Sequence, residues 1–353
     1  MMEPLTQAVG DGGGRRILLV SDAWVPQVNG VVRTLATLAR ELGAMGHVVE
    51  VIGPERFRTL PCPTYPDIRL ALRPGRGLAR AVAGFEPEHV HIATEGPLGL
   101  AMARLARRRG WRFTTCFATR FPDYIAARTG LPAGWFYAWL RRFHNRGAGT
   151  LVATASLGSE LAGRGFRVVR PWTRGVDLSA FRPDVEGVAD AYPGLARPIF
   201  AYVGRVAVEK NIEAFLRLDL PGSKVVVGDG PQRAALERAF PEVRFTGARF
   251  GAALAASYAA ADVFVFPSRT DTFGLVLLEA LACGTPVAAY PVTGPVDVLA
   301  GAEGHVGMMD EDLGRAALGA LGADPVACRA HAERFSWRAC AELFLRHLVP
   351  SGI

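Results

Sequence analysis

The sequence predicts an α/β protein of two doubly wound domains with a ligand-binding cleft between them. Its 353 residues, half of them apolar, exceed what one hydrophobic core usually serves. Short apolar or β-branched runs alternate with helical stretches, which is typical of parallel strands joined by helices. The alternation stops at a proline-rich segment and then starts again, so we expect the same architecture twice.

The first alternating region predicts an N-terminal domain over residues 15–175. Strand-like runs lie at 17–20, 48–52, 89–92, 113–116 and 150–153, and helical stretches lie at 31–45, 133–146 and 156–163. The polar, glycine-rich residues 1–14 lack the basic and apolar regions of a secretory signal, and we interpret them as a disordered leader. Five scattered cysteines without a C-x-x-C pair favour free thiols over disulfides or a metal site. We therefore expect a cytoplasmic protein.

The second alternating region predicts a C-terminal domain over residues 199–335. A connector at 176–198 precedes it, in a stretch that carries Pro171, Pro183, Pro193 and Pro198. Strand-like runs lie at 199–203, 224–227, 243–245, 263–266 and 286–289, with a helical stretch at 275–283. The last segment, 336–353, contains an amphipathic helix long enough to cross back to the first domain.

The net charge of +7 is concentrated in the first half of the chain. Residues up to Asp184 carry a net charge of +11, and the remainder carries −4. A basic half indicates a nucleic acid, an anionic membrane or an acidic substrate as partner. No helix-turn-helix, zinc finger or aromatic RNA-binding motif accompanies the charge, which argues against nucleic acid. No apolar run reaches the roughly 18 residues of a membrane-spanning helix, so we expect a soluble or peripheral protein.

Gly30 lies where the loop after the first predicted strand enters a helix. Unpaired amides at a helix start attract phosphate, and a glycine lets a phosphate approach the backbone closely. A glycine that only permits a tight turn explains the pattern equally well.

The loop after the first strand of the second domain carries Arg205 and Lys210. Both side chains are placed to reach one diphosphate, the arginine as a planar fork and the lysine as a compact point charge. Lys210 is one of only two lysines in the chain, which favours function over a solvated turn. A later turn, Gly228-Asp229-Gly230, predicts either close approach to a ligand or a plain strand-to-helix connection.

The segment from Asp271 to Glu279 places one carboxylate at the start of a predicted helix and another about two turns into it. Asp271 is either a helix cap or a group that holds a sugar. Glu279 lies in an apolar helix, where a buried carboxylate needs partners. The two hydroxyls of a ribose would supply them.

The order of these motifs resembles that of the family 4 retaining glycosyltransferases over residues 15–348. The resemblance implies the GT-B fold, in which two Rossmann-like domains bind a sugar nucleotide in the cleft between them. It implies donor contacts at Gly30, Arg205, Lys210, Gly228, Asp271, Phe273, Gly274, Leu275 and Glu279. The diphosphate would lie at Arg205, Lys210 and the Gly30 backbone, and the ribose at Glu279. The donor sugar would lie near Asp271, Phe273 and Gly274.

The resemblance further implies that the sugar nucleotide is a substrate and that no metal or other cofactor is needed. Arginine and lysine replace the charge that a divalent ion supplies elsewhere. We therefore interpret Asp310-Glu311-Asp312 as a helix start, and we assign Asp271, Arg205, Lys210 and position 118 to catalysis.

Three segments, 26–31, 120–122 and 174–177, are similar to those of bacterial lipid glycosyltransferases within the family. The similarity is to GDP-mannose-dependent α-mannosyltransferases, with sulfoquinovosyl-diacylglycerol synthases as more distant relatives. It implies transfer of a hexose, best matched by mannose from GDP-mannose, to a lipid or lipid-linked hydroxyl. The acceptor-binding residues that we assign are Asp22, Asn29, Glu95 and Arg120.

Two positions depart from the family pattern. Asp271 stands where the family often has Glu, which keeps the charge and shortens the reach. Ala118 stands where the resembling proteins usually have a donor-binding His, and alanine neither donates a hydrogen bond nor transfers a proton. Ala118 indicates an engineered or impaired variant, or a branch that dispenses with the His.

One predicted helix in the basic half combines tryptophans with arginines: Trp135, Trp139, Arg141, Arg142 and Arg146. Such helices lie in membrane interfaces. Each basic residue near anionic lipid strengthens membrane binding by roughly 1 kcal/mol. Packing of the aromatic residues into the core is the alternative. Membrane contact would make the protein peripheral at the inner face of the cytoplasmic membrane.

Other activities remain compatible with these motifs. One is a UDP-sugar-dependent glycolipid synthase that transfers a glucosyl, glucuronosyl or sulfoquinovosyl group. Another is a sugar-nucleotide epimerase, which would need no acceptor. A third is an inactive sugar-nucleotide binder, for which Ala118 is the supporting feature.

Overall fold

The computed structural model describes residues 13–27, 29–62 and 65–352, which form two compact units. Unit 1 comprises Met1–Thr173 and Trp337–Ile353, and unit 2 comprises Arg174–Ser336. Residues 1–12 of the predicted leader lie outside the described residues. Each unit contains a six-stranded parallel sheet with helices between its strands, which confirms the predicted fold class.

Unit 1 contains eight strands in its described part. They are β1 (Arg16–Val20), β2 (Val48–Ile52), β3 (Thr59–Cys62), β4 (Tyr65–Ala71), β5 (His89–Ile92), β6 (Thr114–Phe117), β7 (Gly149–Val152) and β8 (Val169–Pro171). The parallel sheet has the order β2-β1-β5-β6-β7-β8, and β3 and β4 form a separate antiparallel hairpin. Strands β5, β6 and β7 are buried along their whole length, as expected for strands covered on both faces.

The helices of unit 1 include the C-terminal one. They are α1 (Gly30–Ala44), α2 (Gly75–Phe85), α3 (Pro97–Arg109), α4 (Phe121–Thr129), α5 (Ala133–His144), α6 (Ala155–Gly163) and α14 (Trp337–His347). Helix α14 packs on the sheet through Phe344, which is fully buried with Trp172 and Leu42. The indole nitrogen of Trp172 donates to the carbonyl oxygen of Cys340 at 3.2 Å, which ties the end of the chain to unit 1.

Unit 2 repeats the architecture. Its strands are β9 (Ile199–Val203), β10 (Ser223–Val227), β11 (Arg244–Gly247), β12 (Val263–Phe266), β13 (Val287–Ala289) and β14 (Gly307–Met309), in the order β11-β10-β9-β12-β13-β14. Its helices are α7 (Ile212–Leu216), α8 (Arg233–Ala239), α9 (Gly251–Ala259), α10 (Leu275–Ala282), α11 (Pro295–Val298), α12 (Leu313–Ala320) and α13 (Pro325–Ala332).

Residues 176–198, for which the sequence predicts a connector, lie within unit 2. The Tyr192 hydroxyl donates to the Ser257 carbonyl oxygen at 2.7 Å, and Phe181 is buried against Tyr258. This stretch therefore covers part of the core of the second unit.

In each parallel sheet, successive strands are first added on one side of the first strand and then on its other side. In unit 1, β2 is added on one side of β1 and β5 on the other; in unit 2, β10 and β12 flank β9 in the same way. Ligands of open α/β sheets bind beyond the carboxyl ends of the strands at such a switch point. Each unit therefore has one edge at which a site is expected.

Candidate active site

In unit 2 the loops after β9 and β12 carry most of the predicted donor-binding residues. Strands β9 and β12 are direct neighbours, so both loops leave the same edge of the sheet at the switch point. The first loop contains Arg205 and a short 3-10 turn at Val208–Lys210, and the second contains Asp271. The topology thus brings together residues that are 61 positions apart in the sequence.

Lys210 and Asp271 form an ion pair with two hydrogen bonds. The Lys210 ammonium donates to the two carboxylate oxygens of Asp271 at 2.7 and 2.9 Å. The side chains are 23% and 18% exposed. Neither side chain is fully enclosed, so a ligand can reach the ion pair.

Asn211 and Thr270 fix the two loops to each other. Asn211 has a left-handed backbone with φ of 53°, a conformation that asparagine adopts more readily than most residues. Its side-chain amide donates to the Pro267 carbonyl oxygen at 3.1 Å, and the Thr270 hydroxyl donates to the Glu209 carbonyl oxygen at 3.3 Å. Lys210 is therefore held from both sides by the second loop.

Arg205 is an exposed residue of the first loop, and Tyr202 of β9 forms a hydrogen bond with its backbone. The Tyr202 hydroxyl donates to the Arg205 carbonyl oxygen at 2.8 Å. Burial raises the pKa of Tyr202 well above its ordinary value, and the nearby Asp271 and Glu209 charges add to the effect. The hydroxyl therefore stays protonated and remains a donor to the loop.

The glycines of the Gly228-Asp229-Gly230 turn are required by contact with the Arg205 loop. A Cβ at Gly228 would lie 1.8 Å from the Gly204 carbonyl oxygen, and one at Gly230 would lie 2.3 Å from that of Val206. The Val206 amide also donates to the Asp229 carbonyl oxygen at 2.8 Å. Backbone packing explains these glycines without a ligand, which favours the strand-to-helix connection of the two interpretations.

Glu279 is a buried carboxylate on α10, with 3% of its surface exposed. The hydroxyl of Tyr258, a fully buried residue of α9, donates to its Oε2 at 2.9 Å. Burial, followed by repulsion from Glu279, raises the pKa of the Cys283 thiol to about 12, so this neighbour stays neutral.

Helix α10 starts at the same edge of the sheet. Gly274 precedes it with φ of 81°, in the left-handed region that favours glycine, and Phe273 is buried beside it. Gly274 has no side chain with which to cap this helix start. The amides in the first turn of a helix are suited to an anion.

In unit 1 the predicted acceptor residue Asp22 lies just beyond β1 at the switch point. Its carboxylate accepts from the Leu98 and Gly99 amides at 2.8 and 3.2 Å and from the Thr94 hydroxyl at 2.9 Å. These amides belong to the first turn of α3, so Asp22 caps that helix from another element. Burial raises the pKa of Asp22, and the hydrogen bonds from Leu98 and Thr94 oppose the shift.

Asn29, a second predicted acceptor residue, is the N-cap of α1. Its side-chain oxygen accepts from the Val31 and Val32 amides, each at 3.0 Å. Gly30 is the first helical residue and is exposed. The cap leaves the Gly30 amide as the part of this helix start that could meet the predicted phosphate. Val28, in the same loop, lies outside the described residues.

Arg120, a third predicted acceptor residue, forms ion pairs within unit 1. Its guanidinium donates to Glu160 at 2.7 Å and lies 3.6 Å from Asp123, and its side chain is 11% exposed. Burial opposes the charge, but the bond and attraction of Glu160 outweigh it and raise the pKa of Arg120. The residue thus joins α4 to α6.

Glu95, the fourth predicted acceptor residue, follows β5 and is 6% exposed. Its Oε1 lies 3.0 Å from Nε2 of His144, and Nδ1 of His144 lies 2.8 Å from the Thr115 hydroxyl. His144 is the last residue of α5 and is fully enclosed.

Ala118 follows β6 and is half-buried. It packs against the apolar cluster that contains Trp172 and Phe344. The position that the family usually fills with a His therefore presents only a methyl group beside this cluster.

The outer face of α5 carries the residues with predicted membrane contact. Trp135 is 68% and Trp139 48% exposed, whereas Tyr137, Leu140 and Phe143 are buried on the opposite face. The predicted arginines Arg141, Arg142 and Arg146 are exposed as well. Packing into the core thus accounts for Tyr137 and Phe143 but not for the two tryptophans. No helix in the described ranges is long and apolar enough to span a membrane.

A pocket of about 310 Å³ at the end of α3 adjoins Arg146. Arg104, Arg107 and Trp111 line it, and the Arg109 guanidinium lies 4.7 Å from the Trp111 ring centre. Within the described residues, Arg104, Arg107 and Arg146 have no acidic partner.

Sequence reasoning does not identify Tyr258 or His144. A polar His on the buried face of an amphipathic helix, four residues after Leu140, is a signal that could have found His144. Tyr258 gives no comparable signal, because a tyrosine in an apolar helix is an ordinary core residue.

Known proteins match both halves of the chain. Residues 28–180 match the family model for Glycosyltransferase Family 4, and residues 197–319 match that for Glycosyl transferases group 1. The GDP-mannose-dependent alpha-mannosyltransferase of Mycobacterium tuberculosis is 34% identical over 311 residues, which are 81% of this chain and 82% of the relative. The sulfoquinovosyl transferase of Arabidopsis thaliana is 31% identical over 81% of this chain and 61% of the relative. Sucrose-phosphate synthase from Thermosynechococcus elongatus superposes with a TM-score of 0.76 at 20% identity, over 94% of this chain and 98% of that structure.

Proposed function

Because the chain belongs to glycosyltransferase family 4 and has the GT-B fold, we propose that it transfers a hexose from a sugar nucleotide to a lipid or lipid-linked hydroxyl at a membrane surface. The enzyme is a glycosyltransferase, and its donor, acceptor, stereochemistry and location are the proposed parts. The observation that carries the proposal is the convergence of Arg205, Lys210 and Asp271 at the switch point of unit 2. The proposed donor is GDP-mannose, because a relative with that specificity matches most of the chain.

Unit 2 binds the donor. Lys210 exchanges Asp271 for the diphosphate, which Arg205 and the Leu275 amide also contact. Asp271, released from the lysine, accepts hydrogen bonds from hydroxyls of the hexose, next to the backbone of Phe273 and Gly274. Glu279, to which the Tyr258 hydroxyl donates, accepts hydrogen bonds from the hydroxyls of the ribose.

The main catalytic effect is stabilisation of the departing diphosphate. Its negative charge grows as the bond to the anomeric carbon breaks, and Arg205 and Lys210 meet that charge more strongly in the transition state than in the ground state. With retention, the acceptor oxygen bonds to the anomeric carbon on the face that the diphosphate leaves. A diphosphate oxygen takes the hydroxyl proton, so no protein nucleophile is needed. The two cations also make the reaction independent of a divalent metal, which assays in excess chelator test.

Unit 1 supplies the acceptor side and the contact with the membrane. The exposed Trp135 and Trp139 enter the interface, where amphipathic aromatic rings are stable. Arg142, Arg146 and the pocket arginines lie close to anionic headgroups. The location proposed is the inner face of the cytoplasmic membrane, with the sugar nucleotide on the same side.

Two alternatives are favoured by particular observations. The similarity to the Arabidopsis sulfoquinovosyl transferase favours a UDP-sugar-dependent glycolipid synthase. The methyl group at Ala118 favours a protein that binds the sugar nucleotide with little or no turnover. A sugar-nucleotide epimerase, the third alternative, differs from both because it would turn over the sugar nucleotide without an acceptor.

One assay separates these functions. The purified chain is incubated with GDP-mannose, UDP-glucose or UDP-glucuronate, with and without vesicles of phosphatidylglycerol that contain diacylglycerol. We expect hexosyl lipid and free GDP only when GDP-mannose and vesicles are both present. Glycosyl lipid formed from a UDP-sugar would show that the donor is that UDP-sugar and not GDP-mannose. An isomerised sugar nucleotide formed without vesicles would contradict the proposed transferase function and favour an epimerase. Tight binding of GDP-mannose without any product would favour the inactive binder.

A further inference from the structure

We propose that Glu95 and His144 form a subsite in unit 1 that binds a hydroxyl group of the acceptor. Glu95 accepts the hydrogen bond of the hydroxyl, and His144 is a positioning residue that holds Glu95. This inference rests on the proposed function, and it adds a second residue and a defined hydrogen-bond arrangement to the acceptor role assigned to Glu95.

The location of Glu95 is the first reason. The residue lies three positions beyond the end of β5, next to β1 and thus at the switch point of unit 1. Small ligands of doubly wound sheets bind at this point. A carboxylate here lies where a substrate group is expected.

The hydrogen bonds around His144 fix the direction in which it donates. A carboxylate only accepts, so the 3.0 Å contact with Glu95 requires the proton on Nε2 of His144. The Thr115 hydroxyl, 2.8 Å from Nδ1, can donate to a neutral ring or accept from a charged one. The histidine therefore keeps its bond to Glu95 in either charge state.

Aromatic rings enclose the imidazole and prevent it from turning. Phe143 lies 5.1 Å, Phe166 5.6 Å and Phe117 5.9 Å from the imidazole, measured between ring centres. A ring packed on several sides and bonded through both nitrogens holds one orientation. Such preorganisation is what a binding group at a substrate site needs.

The unused bonding capacity of Glu95 is the decisive observation. Asp22, at the end of the neighbouring strand, receives bonds from two amides and a hydroxyl on its two oxygens. Oε2 of Glu95 receives none from the described residues, and this atom remains accessible to solvent although only 6% of the residue is exposed. An accessible carboxylate oxygen can accept a further hydrogen bond. A hydroxyl of a glycerol or sugar acceptor would donate it.

A pair of substitutions at His144 separates positioning from simple packing. The amide nitrogen of Gln takes the place of Nε2, so His144→Gln keeps a donor to Glu95. The amide nitrogen of Asn takes the place of Nδ1, so His144→Asn loses that donor while it keeps a polar group near Thr115. His91→Gln is the control, because His91 is also fully buried and bonded to a threonine, at 2.9 Å, but packs against Trp172 and Phe344.

Diacylglycerol in vesicles, glycerol and inositol are first tried as acceptors, and the one that receives the hexose is used for the test. For each variant the test measures the KM of the acceptor, the KM of the donor, kcat and the melting temperature. We expect Glu95→Gln and His144→Asn to raise the acceptor KM about tenfold or more, with the donor KM unchanged within twofold. His144→Gln should recover most of the wild-type acceptor KM, and His91→Gln should alter only the melting temperature.

Two results would overturn the subsite while the transferase function stands. One is a Glu95→Gln variant with a normal acceptor KM. The other is an acceptor KM that His144→Gln and His144→Asn raise equally and in proportion to their loss of melting temperature. A wild-type chain that binds the sugar nucleotide but transfers hexose to none of these hydroxyl compounds would overturn the proposed function and the subsite together.

Discussion

The two switch points have the same topology but use their polar residues differently. In unit 2 the loops bring Lys210 and Asp271 together in a partly exposed pair, beside an exposed Arg205. In unit 1 the corresponding edge uses Asp22 to cap α3 and Asn29 to cap α1. A polar residue at a switch point is therefore a strong candidate ligand group only where the fold leaves it some bonding capacity.

The largest expected effect concerns position 118, where unit 1 lacks a polar group that the family usually has. If catalysis benefits from a His there, Ala118→His should raise kcat tens-fold to thousands-fold, because a hydrogen bond to the donor sugar that strengthens in the transition state lowers the barrier. The affinity for nucleoside diphosphate, measured by calorimetry, should stay within twofold, since the phosphate and ribose contacts are assigned to unit 2 and to the backbone at Gly30. Unchanged or lower turnover in a well-folded variant would show that this chain holds the sugar by other residues.

Removal of Lys210 should have the next largest effect. Loss of a charged hydrogen bond costs about 1.5–3 kcal/mol, so Lys210→Ala should lower kcat/KM roughly 10- to 150-fold and weaken binding of the sugar nucleotide. Lys224→Ala is the matched control, because the only other lysine donates to backbone carbonyl oxygens, including that of Leu218 at 2.9 Å. Equal kinetics of the two variants would contradict the diphosphate assignment.

The exposed face of α5 should matter for vesicles and not for the donor. The double variant Trp135→Ala/Trp139→Ala should lower affinity for phosphatidylglycerol vesicles roughly tenfold or more, since binding follows the apolar area that enters the interface. Flotation with vesicles measures this change. Phe250→Ala, which removes a 69% exposed aromatic side chain from unit 2, is the control and should float like the wild type. Loss of flotation in both variants would indicate general hydrophobic adhesion.

Glu279→Gln should give a smaller loss that is confined to the nucleoside part of the donor. The amide keeps the shape and one acceptor oxygen, so we expect about 1–1.5 kcal/mol, or roughly five- to tenfold, in affinity for GDP. Calorimetry with GDP and with GDP-mannose should give the same ratio of variant to wild type. A loss seen only with GDP-mannose would assign Glu279 to the sugar.

The smallest effect on function is expected at Asp22. Asp22→Ala removes the cap of α3 and should lower the free energy of unfolding by about 0.5–2 kcal/mol in urea titrations. Donor affinity should not change, because both carboxylate oxygens of Asp22 are already bonded to Thr94, Leu98 and Gly99. A variant with unaltered stability would show that the capping bonds contribute little, and a raised acceptor KM at unaltered stability would restore Asp22 as an acceptor ligand.

The predicted fold and the order of the unit 2 motifs depend on patterns that are local in the sequence. Alternating apolar runs and helical stretches predict most strands of both parallel sheets, and the positions of Arg205, Lys210 and Asp271 after strands place them at one edge. The hairpin of β3 and β4 and helices α2, α3 and α4 have no counterpart in that prediction. Residues 54–85 are rich in proline and arginine and show no clear period, which explains part of this gap.

The sequence by itself determined the fold class, the family and the candidate donor residues, because side-chain periodicity and loop motifs are properties of short segments. Only the tertiary structure decided which polar groups are already bonded and which keep capacity for a ligand. Tyr258 meets Glu279 across 21 residues, His144 meets Glu95 across 49, and Asp22 accepts from an amide 76 residues away. These contacts depend on where each helix packs on the sheet. A hydrogen bond requires its donor and acceptor to be placed within a few tenths of an ångström, and the local sequence does not specify that placement.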